Sequence, residues 1–289
     1  MKIKKGIILA GGNGSRMSPF TNYLSKHLMP IYNKPMIYYP ISNFIQNGIR
    51  DILIISDPIN IKLYKKLLGK GKKFGVKFQY KIQKRAIGLP EAFIIGEKFI
   101  SNQPVALNLG DHILFGPDVN RLLYKTFNKF EKTTIFAIKA KSPSNYGVIS
   151  FDYNRNPKKI FEKPNKPKSK YIIVGIYAYT PDVIEIAKKL KLSKRNELEI
   201  SELNNIYIKS KKIIVEIIDQ KKNYWFDAGD AEKLLKISNI ISNKEKKNKK
   251  AIACLEEIAL NNGYISKKIF KKNIPTDKSV YTKYLKSKI

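Results

Sequence analysis

Lys5-Gly-Ile-Ile-Leu-Ala-Gly-Gly-Asn-Gly-Ser-Arg16 is the stretch on which the fold turns. It is a short apolar run broken at once by Gly11, Gly12 and Gly14. A run of that length bounded by glycine suits a buried strand and is too short for a helix. Glycines directly after a strand let backbone N–H groups approach an anion closely, and Arg16 adds a planar, bidentate cation. The stretch is not Gly-x-Gly-x-x-Gly, because position 17 is Met17, and not a P-loop, because no Gly-Lys-Ser/Thr follows. A plain turn needs one or two glycines, but not Ser15 and Arg16 followed by Pro19. The pattern therefore reads as a nucleotide-binding loop built from Gly11, Gly12, Gly14, Ser15 and Arg16.

Outward from this loop the same rhythm repeats. Apolar runs at 51–56, 105–109 and 133–138 read as further strands. Segments 35–47, 59–68 and 89–99 carry apolar residues at helical spacing. Strands alternating with helices imply βαβ units and a parallel sheet, whose ligands sit beyond the carboxyl ends of the strands. Gly11, Asp57 and Asp111 stand at such ends. Past about residue 145 the strands crowd together, at 146–151, 159–163 and 172–177, separated by Pro- and Lys-rich turns. Helices near 181–190 and 198–209, a strand at 213–218 and a helix from about Ala231 into the lysine-rich 243–250 complete the pattern. The expected fold is α/β: a Rossmann-like, mostly parallel mixed sheet flanked by helices, with a β-rich substrate portion and a helical C-terminal tail. The expected division is a catalytic domain at 1–242, with a nucleotide half of about 1–140 and a second half of 141–242, and a tail at 243–289.

Composition excludes several classes. Two histidines, His27 and His112, and one cysteine, Cys254, argue against a multi-histidine metal centre, a zinc module and an internal disulfide. No run of about 18 apolar residues marks a membrane span, and the apolar run at 6–10 is too short for a signal peptide, so a cytoplasmic protein is expected. The formal net charge of +33 first suggests a nucleic acid or an anionic surface as partner. However, only six of the 56 basic residues are arginine, and the lysines are scattered without interleaved aromatics. Dedicated nucleic-acid interfaces also use arginine's fork, so the excess reads as compositional bias and no specific nucleic acid is expected.

Further motifs carry a resemblance. Ser25-Lys26, Pro30 and Lys34-Pro-Met-Ile-Tyr-Tyr-Pro40 follow the glycine loop, and then come Gly48-Ile-Arg-Asp-Ile-Leu-Ile-Ile-Ser56 and Ala92-Phe-Ile-Ile-Gly-Glu97. Leu109-Gly-Asp111, Tyr146-Gly147, Glu162-Lys-Pro164, Glu197-Leu-Glu-Ile200 and Trp225-Phe-Asp-Ala-Gly229 complete the series. Together they resemble the sugar-nucleotide pyrophosphorylases, and within them the glucose-1-phosphate thymidylyltransferases, over nearly the whole chain. The resemblance implies that dTTP and glucose 1-phosphate react to give dTDP-glucose and pyrophosphate with Mg²⁺ as cofactor, in a cytoplasmic homotetramer. It implies that Arg16 and Lys26 contact the reacting phosphates, and that Asp111 and Asp227 hold the metal. His27, Gln83 and Gly88 would lie on the base side. His112, Tyr146, Gly147, Glu162, Lys163, Ile173, Gly175, Tyr177 and Arg195 would line the sugar-phosphate side.

The chain departs from that family at informative places. His27 stands where the family has Gln, and an imidazole cannot pair as donor and acceptor the way an amide does. Lys84-Arg85-Ala86-Ile87 replaces Pro-Ser-Pro-Asp, His112 replaces Asn, and Ala228 replaces Thr. These changes leave UTP open as an alternative to dTTP. Leu114-Phe-Gly-Pro117 replaces Phe-Tyr-Gly-His in a segment the family links to a regulatory nucleotide site, so weaker feedback inhibition is expected. A basic nucleic-acid-binding protein and a decayed enzyme are the other readings. The second is disfavoured because Arg16, Lys26, Asp111, Glu162, Lys163 and Asp227 are all in place.

Overall fold

Apolar runs become parallel strands when helices cover both faces, and this chain supplies helices for each. The computed structural model describes residues 1–12 and 14–289, so Asn13 of the glycine loop lies outside the described residues. The first half runs β1 (Lys5–Leu9), the short ribbon β2 (Pro30–Ile31) and β3 (Lys34–Pro35), α1 (Tyr38–Gln46), β4 (Asp51–Ser56), α2 (Ile61–Leu68) and β5 (Lys77–Ile82). It continues with α3 (Glu91–Ile95), α4 (Glu97–Ile100), β6 (Val105–Leu109), β7 (His112–Phe115), α5 (Pro117–Asn128) and β8 (Thr133–Lys139). The second half holds β9 (Gly147–Phe151), β10 (Pro157–Glu162), β11 (Tyr171–Tyr179), α6 (Val183–Lys189), α7 (Ile200–Lys209), β12 (Ile213–Ile217) and β13 (Tyr224–Asp227). Then α8 (Ala231–Asn248), α9 (Leu255–Asn261), α10 (Lys267–Asn273) and α11 (Val280–Lys286) close the chain.

The main sheet has nine strands in the order β10-β9-β11-β6-β1-β4-β5, with β8 joining β11 and β12 joining β8. β5, β4, β1 and β6 are parallel neighbours, and β11 enters antiparallel to β6. The sheet is thus Rossmann-like on the nucleotide side and mixed on the other. Alternate residues explain its stability. Ile8 in β1 and Ile52 and Ile54 in β4 pack with Ile41, Phe44, Tyr64 and Phe127 from α1, α2 and α5. Ile7, Leu9, Leu53 and Ile55 point the other way, to Phe93, Ile100, Val183 and Leu203 from α3, α4, α6 and α7. Each such side chain, fully buried, contributes on the order of 1.5–3 kcal/mol of transfer free energy.

Three expectations are refined. The helical pattern at 89–99 is two short helices, because the chain breaks at Gly96, where a Cβ would stand 2.8 Å from the Ala92 carbonyl. Pro35 belongs to the β2–β3 ribbon, and α1 begins only at Tyr38. Nothing interrupts the chain at 242–243: α8 runs from an Asp230 N-cap to Asn248, and the turn comes at Lys249, whose φ is +49°. Lys244, Lys246 and Lys247 are good helix formers with solvated heads, so they extend the helix.

The tail is seated firmly. Lys34, 2 % exposed, places its Nζ 2.7 Å from Glu245 Oε1 on α8. The rings of Tyr32, Tyr39 and Tyr281 surround the same ammonium at 5.7–5.9 Å. Tyr281 comes from α11, so one buried cation joins the β2–β3 ribbon, α8 and the last helix.

Candidate active site

The carboxyl ends of β1, β4 and β6 are tied together. Ala10 N donates to Ile55 O at 2.8 Å, and Gly110 N to Leu9 O at 3.0 Å. The glycine loop leaves this junction and enters a single tight turn, Ser15–Met17. Arg16, exposed on that turn, lies over the segment after β13: a Cβ on Gly229 would stand 3.0 Å from Arg16 Nη2. The loop arginine and Asp227 are thereby brought to one place.

Asp111 and Asp227 meet through a second ribbon. β7 pairs antiparallel with β13, with His112 opposite Asp227, and Ala228 N donates to Asp111 O at 3.3 Å. Lys26, on the short turn Lys26–Leu28, forms an ion pair with Asp111 Oδ2, both side chains being largely covered. Burial alone would push the Asp111 carboxyl upward, but Lys26, with His112 and His27 behind it, holds it well below the usual carboxylate range. Tyr146 OH donates to Asp227 Oδ2 at 3.4 Å, and its own pKa is pushed up to about 12 by burial and by that carboxylate. Two hard carboxylates, one held firmly ionised, suit a divalent cation that takes the rest of its shell from water and phosphate. Among the described residues there is no cluster of three or more His, Cys, Asp or Glu that could hold a metal ion.

Beside these groups lies a cleft of about 280 Å³. Arg16, Asp111 and Asp227 line one part of it, and His112, Tyr146, Gly147, Glu162, Lys163, Ile173, Tyr177 and Arg195 line the rest. Arg195 Nη1 lies 3.6 Å from Glu162 and 3.7 Å from Glu199, and Nη2 lies 2.9 Å from Glu197. Burial and the neighbouring Glu199 raise the Glu162 pKa. Gly175 stands behind the wall: its N–H donates to His112 Nδ1 at 2.8 Å, and a Cβ there would be 2.5 Å from that nitrogen. Trp225 Nε1 donates to the same atom at 3.2 Å, which fixes the His112 ring with its Nδ1 as acceptor.

The base-side residues are placed differently. Gln83 lies against the glycine loop, its Oε1 2.8 Å from where a Gly11 Cβ would be, while Nε2 donates to Glu91 at 2.7 Å. Gly88 forms a bridge to Leu198, with φ +126° and no room for a side chain against the Leu198 carbonyl. His27 is not on the open surface. Its ring is 1 % exposed, packs beneath Gly110, and hydrogen-bonds through Nδ1 with Ser25 Oγ at 3.1 Å and more distantly with Tyr64 OH. Burial lowers its pKa to about 4, so the ring is neutral at physiological pH.

The site also holds residues to which the motifs gave no role. Glu197 and Glu199 orient Arg195, and Ser201 and Asn204 line the cleft from α7. The Glu197-Leu-Glu-Ile200 motif pointed to the first pair, but nothing in the sequence shows that Arg195 would be their partner.

Comparison with known proteins follows this geometry. A family model described as nucleotidyl transferase matches residues 5–244, which span the sheet, both ribbons and most of α8. The chain belongs to the nucleotidyltransferase family. A glucose-1-phosphate thymidylyltransferase of Neisseria gonorrhoeae is 42% identical over 282 residues, covering 97% of this chain and 98% of that protein. The enzyme of the same name from Mycolicibacterium smegmatis is 42% identical, with 90% of each chain covered. A Bacillus anthracis crystal structure assigned to that activity, in complex with sucrose, superimposes with a TM-score of 0.75 at 36% identity, covering 82% of this chain and 94% of its own. A UDP-glucose pyrophosphorylase bound to UDP-glucose follows at a TM-score of 0.74 and 26% identity, covering 84% and 99%. In this nucleotidyltransferase the glycine loop follows β1 and Asp111 follows β6 at the carboxyl edge of the parallel strands, and the β7–β13 ribbon brings Asp227 beside them.

Proposed function

We propose that this nucleotidyltransferase transfers a thymidylyl group from dTTP to α-D-glucose 1-phosphate, giving dTDP-glucose and pyrophosphate, the entry step to dTDP-rhamnose-type sugars. The observation that carries the reading is the identity of about 40% over nearly the full chain with curated glucose-1-phosphate thymidylyltransferases.

The chemistry asks the protein for placement and charge. An oxygen of the sugar phosphate attacks the α-phosphorus in line, a new O–P bond forms, and the bond to pyrophosphate breaks. Arg16 holds the outer phosphates and offsets charge on the departing pyrophosphate. Lys26 leaves Asp111 for the reacting phosphates, and Arg195 and Lys163 hold the sugar's phosphate. Glu162 accepts hydrogen bonds from the sugar, with Tyr146 and Tyr177 as walls. Asp111 and Asp227 would hold Mg²⁺, which would supply positive charge to offset that of the phosphates. The working assembly in this reading is a homotetramer acting in the cytoplasm. Among the described residues no helix is long and apolar enough to cross a membrane.

UTP is the second reading. It is favoured by the burial of His27, which leaves the base edge to Gln83, itself half-occupied by Glu91. Pyrophosphate release from dTTP and UTP, measured side by side with glucose 1-phosphate, decides between them. A kcat/KM for dTTP below that for UTP would reverse the assignment.

A further inference from the structure

Gln83 follows β5 at the carboxyl edge of the sheet, and its backbone is pinned there, because Gln83 N donates to Ser56 O at 2.8 Å. The two ends of its amide meet different neighbours. Nε2 donates to Glu91 Oε2 at 2.7 Å. Oε1 faces the glycine loop, 2.8 Å from where a Gly11 Cβ would stand. It is not one of the described polar atoms that are both sealed from water and unpaired.

An amide fits its surroundings either way round, one end donating and the other accepting, whereas a carboxylate only accepts. Glu91, the first residue of α3, therefore decides which way the Gln83 amide points. It joins none of the ion pairs among the described residues, although the chain carries 56 basic side chains. Its carboxylate is turned to a neutral amide instead.

We propose that Glu91 is a positioning residue for base choice: it holds Gln83 Nε2 and leaves Oε1 as a fixed acceptor at the glycine loop, so that the site takes a pyrimidine offering N3–H. This rests on placing the base beside Gln83, as above. Thymine and uracil carry that proton between two carbonyls. Cytosine has a bare acceptor at N3, and its donor on that edge, the 4-amino group, stands one ring position further out. With the triphosphate fixed on the loop, cytosine reaches Oε1 with that group only by giving up phosphate contacts. In register, two acceptors would face each other unpaired, which a polar site rejects far more strongly than an apolar pocket rejects a missing methyl group. Glu91 acts through Gln83 and does not separate thymine from uracil.

The test measures binding of dTTP and dCTP to the protein by calorimetry, without sugar phosphate. The unaltered protein should bind dTTP about tenfold or more tightly than dCTP. Glu91→Gln keeps the size of the side chain but both accepts and donates, so it lets the Gln83 amide turn over, and the dTTP-to-dCTP preference should shrink about tenfold. The exchange Gln83→Glu/Glu91→Gln puts an acceptor back at the loop with the same net charge and should return the preference to within about threefold of the original. A role confined to folding or to seating α3 would weaken both nucleotides alike and would not be rescued by the exchange. Equal losses on both nucleotides, an unchanged preference in Glu91→Gln, or an exchange that fails to restore it overturns the inference. Pyrophosphate release is read separately. A protein that shows this selectivity but releases no pyrophosphate with glucose 1-phosphate would uphold the inference and overturn the assigned reaction.

Discussion

His27 shows how burial decides a residue's role. Its pKa falls from 6.5 to about 4 because water is removed from around the ring. Between those pH values the unfolded chain binds a proton that the folded chain refuses, so stability rises with pH across that window. The contribution is present in full above about pH 6.5 and fades as the pH drops toward 4, by on the order of 3 kcal/mol. His27→Gln should flatten the pH dependence of the melting temperature over that range, and an unchanged slope would show that another group controls it. Asp111 works in a lower window. Its carboxyl is held below its ordinary 3.8, so its contribution is present above that pH and is lost only in stronger acid. Asp111→Asn and Asp227→Asn should each lower the Mg²⁺-dependent rate by about a hundredfold or more while the far-ultraviolet circular dichroism stays native. A rate within tenfold of wild type would mean that the carboxylates are not the metal ligands.

At the scale of elements, the Lys34–Glu245 pair is a joint between the β2–β3 ribbon and α8. Glu245→Ala strands a buried ammonium and should cost about 3–5 kcal/mol in thermal or denaturant unfolding. Lys34→Met/Glu245→Leu removes both charges and should recover most of that loss. Elements of this kind were the hardest to read in the sequence. β1, β4, β6 and β8 announced themselves as unbroken apolar runs because both of their faces are buried. β5 did not, since Phe78 and Tyr80 alternate with lysines and Gln79 on a strand at the edge of the sheet. β7 and β13 are four residues each and pair across more than 100 positions, so no local pattern declares the ribbon that joins Asp111 to Asp227. Much of the cleft's lining was legible, because the motifs that carry the family resemblance, at 109–111, 146–147, 162–163 and 227, come together along it. Their orientation was not: the Tyr64 hydroxyl that faces His27 comes from a helix 37 residues away.

For the molecule as a whole, the charge of +33 acts through the solvent. Two polyanionic substrates approaching a basic protein are steered in, and the effect falls off within a Debye length of about 10 Å at 0.1 M salt. The kcat/KM for the nucleotide should therefore drop several-fold between low and physiological ionic strength, with kcat nearly constant. A salt-independent kcat/KM would show that the excess lysine plays no part in capture. Duplex DNA should bind only at low salt and be released at physiological salt, as expected for a scattered basic surface. Tight binding at physiological salt would count against the catalytic assignment. A second cleft of about 250 Å³ lies between Leu114, Phe115 and Gly116 and the chain at 250–253, beside the segment for which weaker feedback inhibition is expected. Inhibition by dTDP-rhamnose should be weak, and strong inhibition in a titration would show that those replacements preserve the regulatory site.

Lys34 also gives the protein a built-in clock. It is the one buried lysine among the described residues, sealed by Glu245 from α8 and by the ring of Tyr281 from α11. An amine-reactive label will modify the surface lysines at once, but it reaches Lys34 only when the C-terminal helices lift away. The rate at which mass spectrometry finds that single position acylated is therefore the rate at which the tail breathes.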